Sequence, residues 1–183
     1  MTRSAWLIIL CTVPAAAHAK CTASPSDCPH HAAHAAAFSA DHFAQVDARG
    51  DAAMGFSHQA TAHHFMLTED GGVIAVNVIE ADDAETIAAV RSHLAEVAHA
   101  FARGEFALPK QIHDRTPPGV PEMVRRRAAI GYRFEETKDG GRVVITTRDA
   151  KAREAIHAFL RFQIDDHRTG DPTRAPQAGV TGR

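Results

Sequence analysis

The stretch Ala62 to Val78, reading AHHFMLTEDGGVIAVNV, returns in diverged form as Gly131 to Thr147, reading GYRFEETKDGGRVVITT. Setting Asp70 on Asp139 also sets Phe65 on Phe134, Gly71-Gly72 on Gly140-Gly141, Ile74 on Val143 and Val76 on Ile145, at a constant offset of 69. Each copy alternates apolar and polar residues around an Asp-Gly pair, the signature of a β-hairpin. Each is followed by a segment with helical apolar spacing, and these align too: Ala89 to Leu94 on Ala155 to Leu160, with Gly104 on Gly170 at an offset of 66. A chain written twice in this way is constrained to a tandem ββα repeat, with units at about 62–104 and 131–170. The expected fold is α+β: a four-stranded antiparallel sheet, two main helices on one face, and an additional N-terminal helix.

Register follows from the turn. Taking Asp70-Gly71 as a two-residue type I′ loop pairs Leu67 with Ile74, Phe65 with Val76 and His63 with Val78. Those residues share one face, which packs on the helices; His64, Met66, Thr68, Ala75 and Asn77 share the other. His63 then stands where the second hairpin has Tyr132, pointing inward, and His64 points outward.

The first long helix is expected from about Asp83 to Arg103, with Asp82 and Glu85 spaced as a capping box and Ile87, Val90, Leu94, Val97, Ala98 and Phe101 as its buried stripe. His93 flanks that stripe and His99 lies on the exposed side. The second is expected from about Asp149 to His167, burying Ala152, Ile156, Phe159, Leu160 and Gln163, with His167 continuing the stripe in the last turn. Ahead of both, Ser39 suits the cap of a shorter helix that Phe38 and Phe43 staple and Gly50 ends. The proline-containing connection from Gly104 to Pro121 shows no regular pattern, and a short basic helix is expected around Glu122 to Ala129.

Residues 1–19 read as an export signal: a basic start at Arg3, an apolar run from Ala5 to Val13 too short to span a bilayer, and the small-residue ending Ala17-His18-Ala19. Cleavage after Ala19 predicts a periplasmic or secreted protein with no transmembrane segment in the mature chain. Residues 20–37 form a Cys- and His-rich segment without apolar periodicity, expected to be flexible. The ordered single domain is expected over 38–172, with a disordered tail over 173–183. Of three cysteines, Cys11 leaves with the signal. Cys21 and Cys28 remain in an oxidising compartment, where a disulfide between them is the expected state, with metal-binding thiolates or a lipidated Cys21 as the alternatives. The formal net charge of −2 offers no electrostatic footprint for nucleic acid.

The segments GFSHQATAHHF and AIHAFLRFQIDDHRTGD and the paired DGG hairpins resemble a family of small exported bacterial proteins of uncharacterised function, over roughly Met54 to Pro172. Some members carry the transferred name aspartate carbamoyltransferase. A catalytic chain of that enzyme needs two α/β domains and an S-x-R-T phosphate loop, and this chain has neither the length nor the motif. The resemblance implies one compact exported domain and supplies no catalytic residue.

The chain holds 13 histidines, and neutral imidazole is the commonest protein ligand for Zn and Cu. No H-E-x-x-H or paired C-x-x-C signature organises them, so a folded site must draw ligands from separate elements. His63 and His167 lead as candidates because both are expected on inner faces, with His157 or His93 as a third. Cys28, His30, His31 and His34 form a second candidate set in the N-terminal segment. Against metal stands a plainer account: a buried histidine bonded to a backbone carbonyl, and an exported module that takes a small apolar ligand or a protein partner. His113-Asp114 and Tyr132 carry acid-base groups, but no nucleophile, carboxylate pair or phosphate loop accompanies them, so an enzyme is the less favoured class. The expected function is therefore binding, with Zn or Cu as the candidate ion.

Overall fold

The computed structural model describes residues 29–176, and the compact unit begins at Ser39. The expected signal segment, the Cys21–Cys28 disulfide and residues 177–183 lie outside the described residues, as do the side chains of His30, His31 and His34.

The element order is α1 (Pro29–Met54), β1 (Thr61–Thr68), β2 (Gly71–Val78), α2 (Ala84–Ala102), α3 (Ala107–His113), α4 (Val120–Arg125), a 3-10 turn (Arg127–Ala129), β3 (Ile130–Thr137), β4 (Gly140–Thr147) and α5 (Ala150–His167). The four strands form one antiparallel sheet in the order β1-β2-β4-β3, so the two hairpins join through their second strands. Ile74 faces Val143 across that joint, and the flanking pairs mirror each other, Gly71 with Thr146 and Gly140 with Asn77. The sheet is thus symmetric about the Ile74–Val143 pair.

Both long helices lie on one face, and each covers the other hairpin: α2 runs over β3 and β4, while α5 runs over β1 and β2. The core between them takes Phe65, Ile74, Val76, Val143 and Ile145 from the sheet, Val90, Leu94 and Phe101 from α2, and Ile156, Phe159 and Leu160 from α5. Leu94, Phe159 and Leu160 are essentially removed from solvent, which stabilises the fold by roughly 1.5–3 kcal/mol apiece.

The register differs from the expected one by two residues. Phe65 pairs with Ile74, His63 with Val76 and Leu67 with Gly72, so the turn residues are Glu69 and Asp70, and the glycines belong to β2. A shift of two leaves every side chain on its expected face. Its cause is close approach. A methyl at Gly71 would collide with the Ile145 carbonyl oxygen, and one at Gly72 with Leu160 Cδ1. In the second hairpin Gly140 meets the Val76 carbonyl oxygen in the same way, while Gly141 abuts Phe134 and Leu94. Neither Glu69 nor Asp70 adopts a positive φ, so a type I′ turn is excluded. The hairpin tips are also tied reciprocally: Thr147 N–H donates to the Asp70 carbonyl at 2.7 Å, and Val78 N–H to that of Asp139 at 2.8 Å.

Three helical boundaries depart from expectation. α1 neither starts at Ser39 nor stops at Gly50; it begins at Pro29 and runs to Met54, because its alanine-rich sequence sustains a helix without apolar periodicity. The cap of α2 is Asp83, one residue beyond Asp82. Its Oδ1 accepts the Thr86 N–H at 3.0 Å and its Oδ2 the Thr86 hydroxyl at 2.6 Å, so threonine supplies both donors and the Asp82–Glu85 box is not used. The connection 104–121 is partly helical, since α3 and the start of α4 lie within it, burying Ile112, His113 and Val120. α5 matches its expected span, with Asp149 accepting the Lys151 and Ala152 N–H groups. Beyond it, Thr173 accepts a bond from Arg161 and Ala175 packs on the core, so the start of the expected disordered tail is docked. Among the described residues no helix is long and apolar enough to cross a membrane.

Candidate functional site

Where α3 and the C-terminal turn of α5 close over the β1 side of the sheet, a cavity of about 60 Å³ remains. Four of its lining residues are histidines: His63 from β1, His93 from α2, His113 from the end of α3 and His167 from the end of α5, with Gln163 one helical turn before it. The rest of the wall is largely apolar, including Phe65, Val76, Phe101, Leu108 and Ile112. β1 aims His63 inward because it shares the face of Phe65 and Leu67; α5 stacks Gln163 and His167 on one face because they are four apart.

The rings of His63 and His167 are parallel within 4°, their centres 6.0 Å apart. His113 meets His167 edge-on at 5.0 Å, and Phe56 meets His93 edge-on at 5.6 Å. The corresponding positions around the other hairpin hold different chemistry. At the offsets of 69 and 66 residues, His63, His167 and His93 correspond to Tyr132, Phe101 and Phe159. There Phe101 packs edge-on against Tyr132 and against Phe159, each at 5.9 Å. One end of the core is closed by aromatic rings and the other by imidazoles.

Three of these imidazoles, His63, His93 and His167, are held neutral. Burial, reinforced by the neighbouring His93, His58 and His64, lowers the His63 pKa to about 4. Burial, then His113 and His63, lowers that of His167 to about 3. Burial also lowers His93, against the opposing charge of Glu96. His63 retains some exposed surface as a residue, but its Nε2 is sealed from solvent and has no hydrogen-bond partner.

His113 is tied down completely. Its Nδ1–H donates to Asp166 Oδ2 at 2.6 Å, and its Nε2 lies 3.0 Å from Gln163 Oε1. Asp166 also accepts from His42 Nε2 of α1 at 2.8 Å and pairs with Arg115 at 3.4 Å. Burial pushes Asp166 upward, yet the bonds from His42 and His113 outweigh it and hold the carboxyl below its usual range. One buried carboxylate thereby fastens α1 and α3 to α5, while Gln163 Nε2 is left without a partner.

Of the four folded-site candidates, the structure brings His63, His93 and His167 around one cavity. His157 is elsewhere: its Nε2 bonds the Thr68 carbonyl at 2.9 Å, holding the tip of the first hairpin. Arg91 of α2, 66 residues earlier, does the same for the second hairpin through the Thr137 carbonyl at 2.7 Å and that of Gly140 at 3.0 Å. His157 therefore stands apart from the cavity and clamps the first turn. Among the described residues no three His, Cys, Asp or Glu side chains are arranged to hold a metal ion. The acid-base residues of the sequence reading are separate as well, since His113 pairs with Asp166 while Asp114 takes the left-handed C-cap position at φ 52°, and Tyr132 buries its hydroxyl without a partner. Sequence reasoning missed His42 and Asp166; the one available signal was Gln163, a polar residue on an otherwise apolar helical stripe.

Beside the cavity runs an open groove of about 310 Å³, lined by His93, Glu96 and Glu105 over Val97, Ala100, Phe101 and Leu108. His93, Val97, Phe101 and Leu108 are walls of both. Groove and cavity thus adjoin across these four side chains, the groove floored by apolar residues and the cavity lined by imidazoles. No protein-family model, curated protein or solved structure matches the chain.

Proposed function

We propose that the protein is an exported binding protein, built from an internal ββα repeat, that takes a small organic ligand in the groove with one end in the imidazole cavity. The observation that carries this reading is the sealed, unpartnered Nε2 of His63. Leaving a buried polar atom unsatisfied costs about 1–3 kcal/mol, a cost that a bound ligand removes by hydrogen bonding. Size argues for the groove's participation: the cavity alone admits about four atoms, at some 10–15 Å³ for each water-sized group. With a ceiling of about 1.5 kcal/mol per atom, such a fragment gains at most about 6 kcal/mol, equivalent to a Kd in the tens of micromolar. The groove, at about 310 Å³, reaches the range of small-molecule sites.

A second reading, Zn or Cu binding, rests on the same neutral imidazoles. Against it stands the absence of a three-ligand group among the described residues, since a structural zinc takes four ligands and a catalytic zinc three from the protein. Native mass spectrometry and elemental analysis of the untagged chain separate the two readings. A retained organic mass that His63→Phe loses supports the first. An equimolar metal that His63→Phe loses replaces it with the second. Identical results for wild type and variant, with neither mass nor metal held, overturn the cavity as a site.

A further inference from the structure

On the opposite face of the sheet, His64 and Met66 stand two residues apart on β1 and point to the same side. His64 Nδ1–H donates to Asp171 Oδ1 at 3.0 Å, and Asp171 Oδ2 accepts the Phe65 N–H at 2.9 Å and the Thr169 hydroxyl at 2.7 Å. Burial alone would raise the Asp171 pKa, but those bonds prevail and keep it ionised. The carboxylate therefore fixes both the tautomer and the orientation of His64, leaving Nε2 as a lone-pair donor on a side chain 44% exposed. This is the outer-shell arrangement that supports metal-ligating histidines. Met66 is one of two large hydrophobic side chains that are exposed among the described residues, at 39%, and its flexible thioether is a soft donor.

We infer that His64 Nε2 and Met66 Sδ form a surface site for a soft monovalent metal ion of the copper(I) class, with Asp171 as the positioning residue. Thioether sulfur and imidazole both suit copper(I), whereas magnesium and calcium take oxygen donors, and a two-donor site suits an ion of low coordination number while falling short of the four ligands of a structural zinc. The site shares no residue with the cavity, so it stands or falls independently of the binding function proposed above.

The test uses the full chain and silver(I), a redox-inert ion of the same class, read residue by residue by NMR so that binding to cysteines or histidines elsewhere does not interfere. The Met66 methyl signal, assigned with Met66→Leu, and the His64 ring signals should shift together at the same silver equivalence, with no such shift under zinc. Met66→Leu should remove the His64 shift. Asp171→Asn should weaken this site about 10–100-fold, as loss of an outer-shell partner does. Met66 and His64 signals that stay fixed under excess silver, or that titrate at different equivalences, overturn the site. Unchanged silver affinity in Asp171→Asn overturns the positioning role.

Discussion

Replacing His63 with phenylalanine tests the buried imidazole most directly, because the change puts a hydrocarbon ring where the other hairpin already carries Tyr132. At about pH 7 the variant should be more stable than wild type by about 1–3 kcal/mol, the cost of an unsatisfied buried polar atom that it no longer incurs. The difference should then widen in acid. The folded pKa of His63, about 4 against about 6.5 for an unperturbed histidine, lies below the unfolded one, so the unfolded chain binds the proton first. Its burial carries no added protonation penalty above about pH 6.5 and is progressively opposed as pH falls toward 4, at about 1.4 kcal/mol per pH unit. At about pH 4.5 that amounts to roughly 2.5 kcal/mol, present in wild type and absent from the variant. His167, with its own lowered pKa of about 3, titrates in both proteins and largely cancels. Urea unfolding at the two pH values reads both quantities from the midpoints at constant m. If wild type and His63→Phe lose stability in parallel between them, His63 is not held neutral by burial, and the account of the cavity fails with it.

Gly72→Ala and Gly141→Ala should each destabilise by about 1–3 kcal/mol through overpacking, since the added methyl meets Leu160 and the Met66 carbonyl oxygen in one case, and Phe134 and Leu94 in the other; thermal melts should show similar drops for the two. Asp166→Ala should cost about 3–5 kcal/mol by stripping a buried carboxylate from His42 and His113, measured by chemical denaturation, and an effect under 1 kcal/mol would refute its place as the fastening of α1 and α3. Arg91→Met should leave global stability within about 1.5 kcal/mol while speeding hydrogen exchange at the Val78 amide, which donates to Asp139 in the tip that Arg91 holds.

The architecture was legible because a repeated pattern carries its own internal check: the alternation of Phe65, Leu67, Ile74 and Val76 and its echo at Phe134, Val143 and Ile145 both demanded an inward face, and that face is the buried one. The register was misread for a physical reason. Asp-Gly is a strong turn signal, but here the glycines are needed where β2 and β4 approach and where Leu160 and Leu94 press on the sheet, and tertiary contact overrode local preference. His63 and His167 could be placed on inner faces from periodicity alone, and His93 beside the buried stripe of α2. Their neighbours could not, because His42, His113 and Asp166 come together from three helices through side chains separated by up to 124 positions, and no local pattern encodes such a meeting. The place of His157, away from the cavity, was not legible because its partner is a backbone carbonyl, which leaves no trace in the identity of Thr68.

The way each helix lies across the other hairpin carries a consequence for how the chain reaches this state. β1 and β2 made first, with α2 following, give a hairpin whose apolar face is only partly covered, because α2 reaches β2 alone and the rest of its cover is α5, at the far end of the domain. The sheet's central seam likewise joins residues such as Gly71 and Thr146, which cannot meet until most of the domain has emerged. Neither half is then a foldable fragment, and pulse-labelled exchange should protect both hairpins in one kinetic phase. Contacts between residues so distant in sequence are formed only after costly loop closure, which slows folding. A nascent chain should stay open, with its β2 edge unpaired, until α5 is complete.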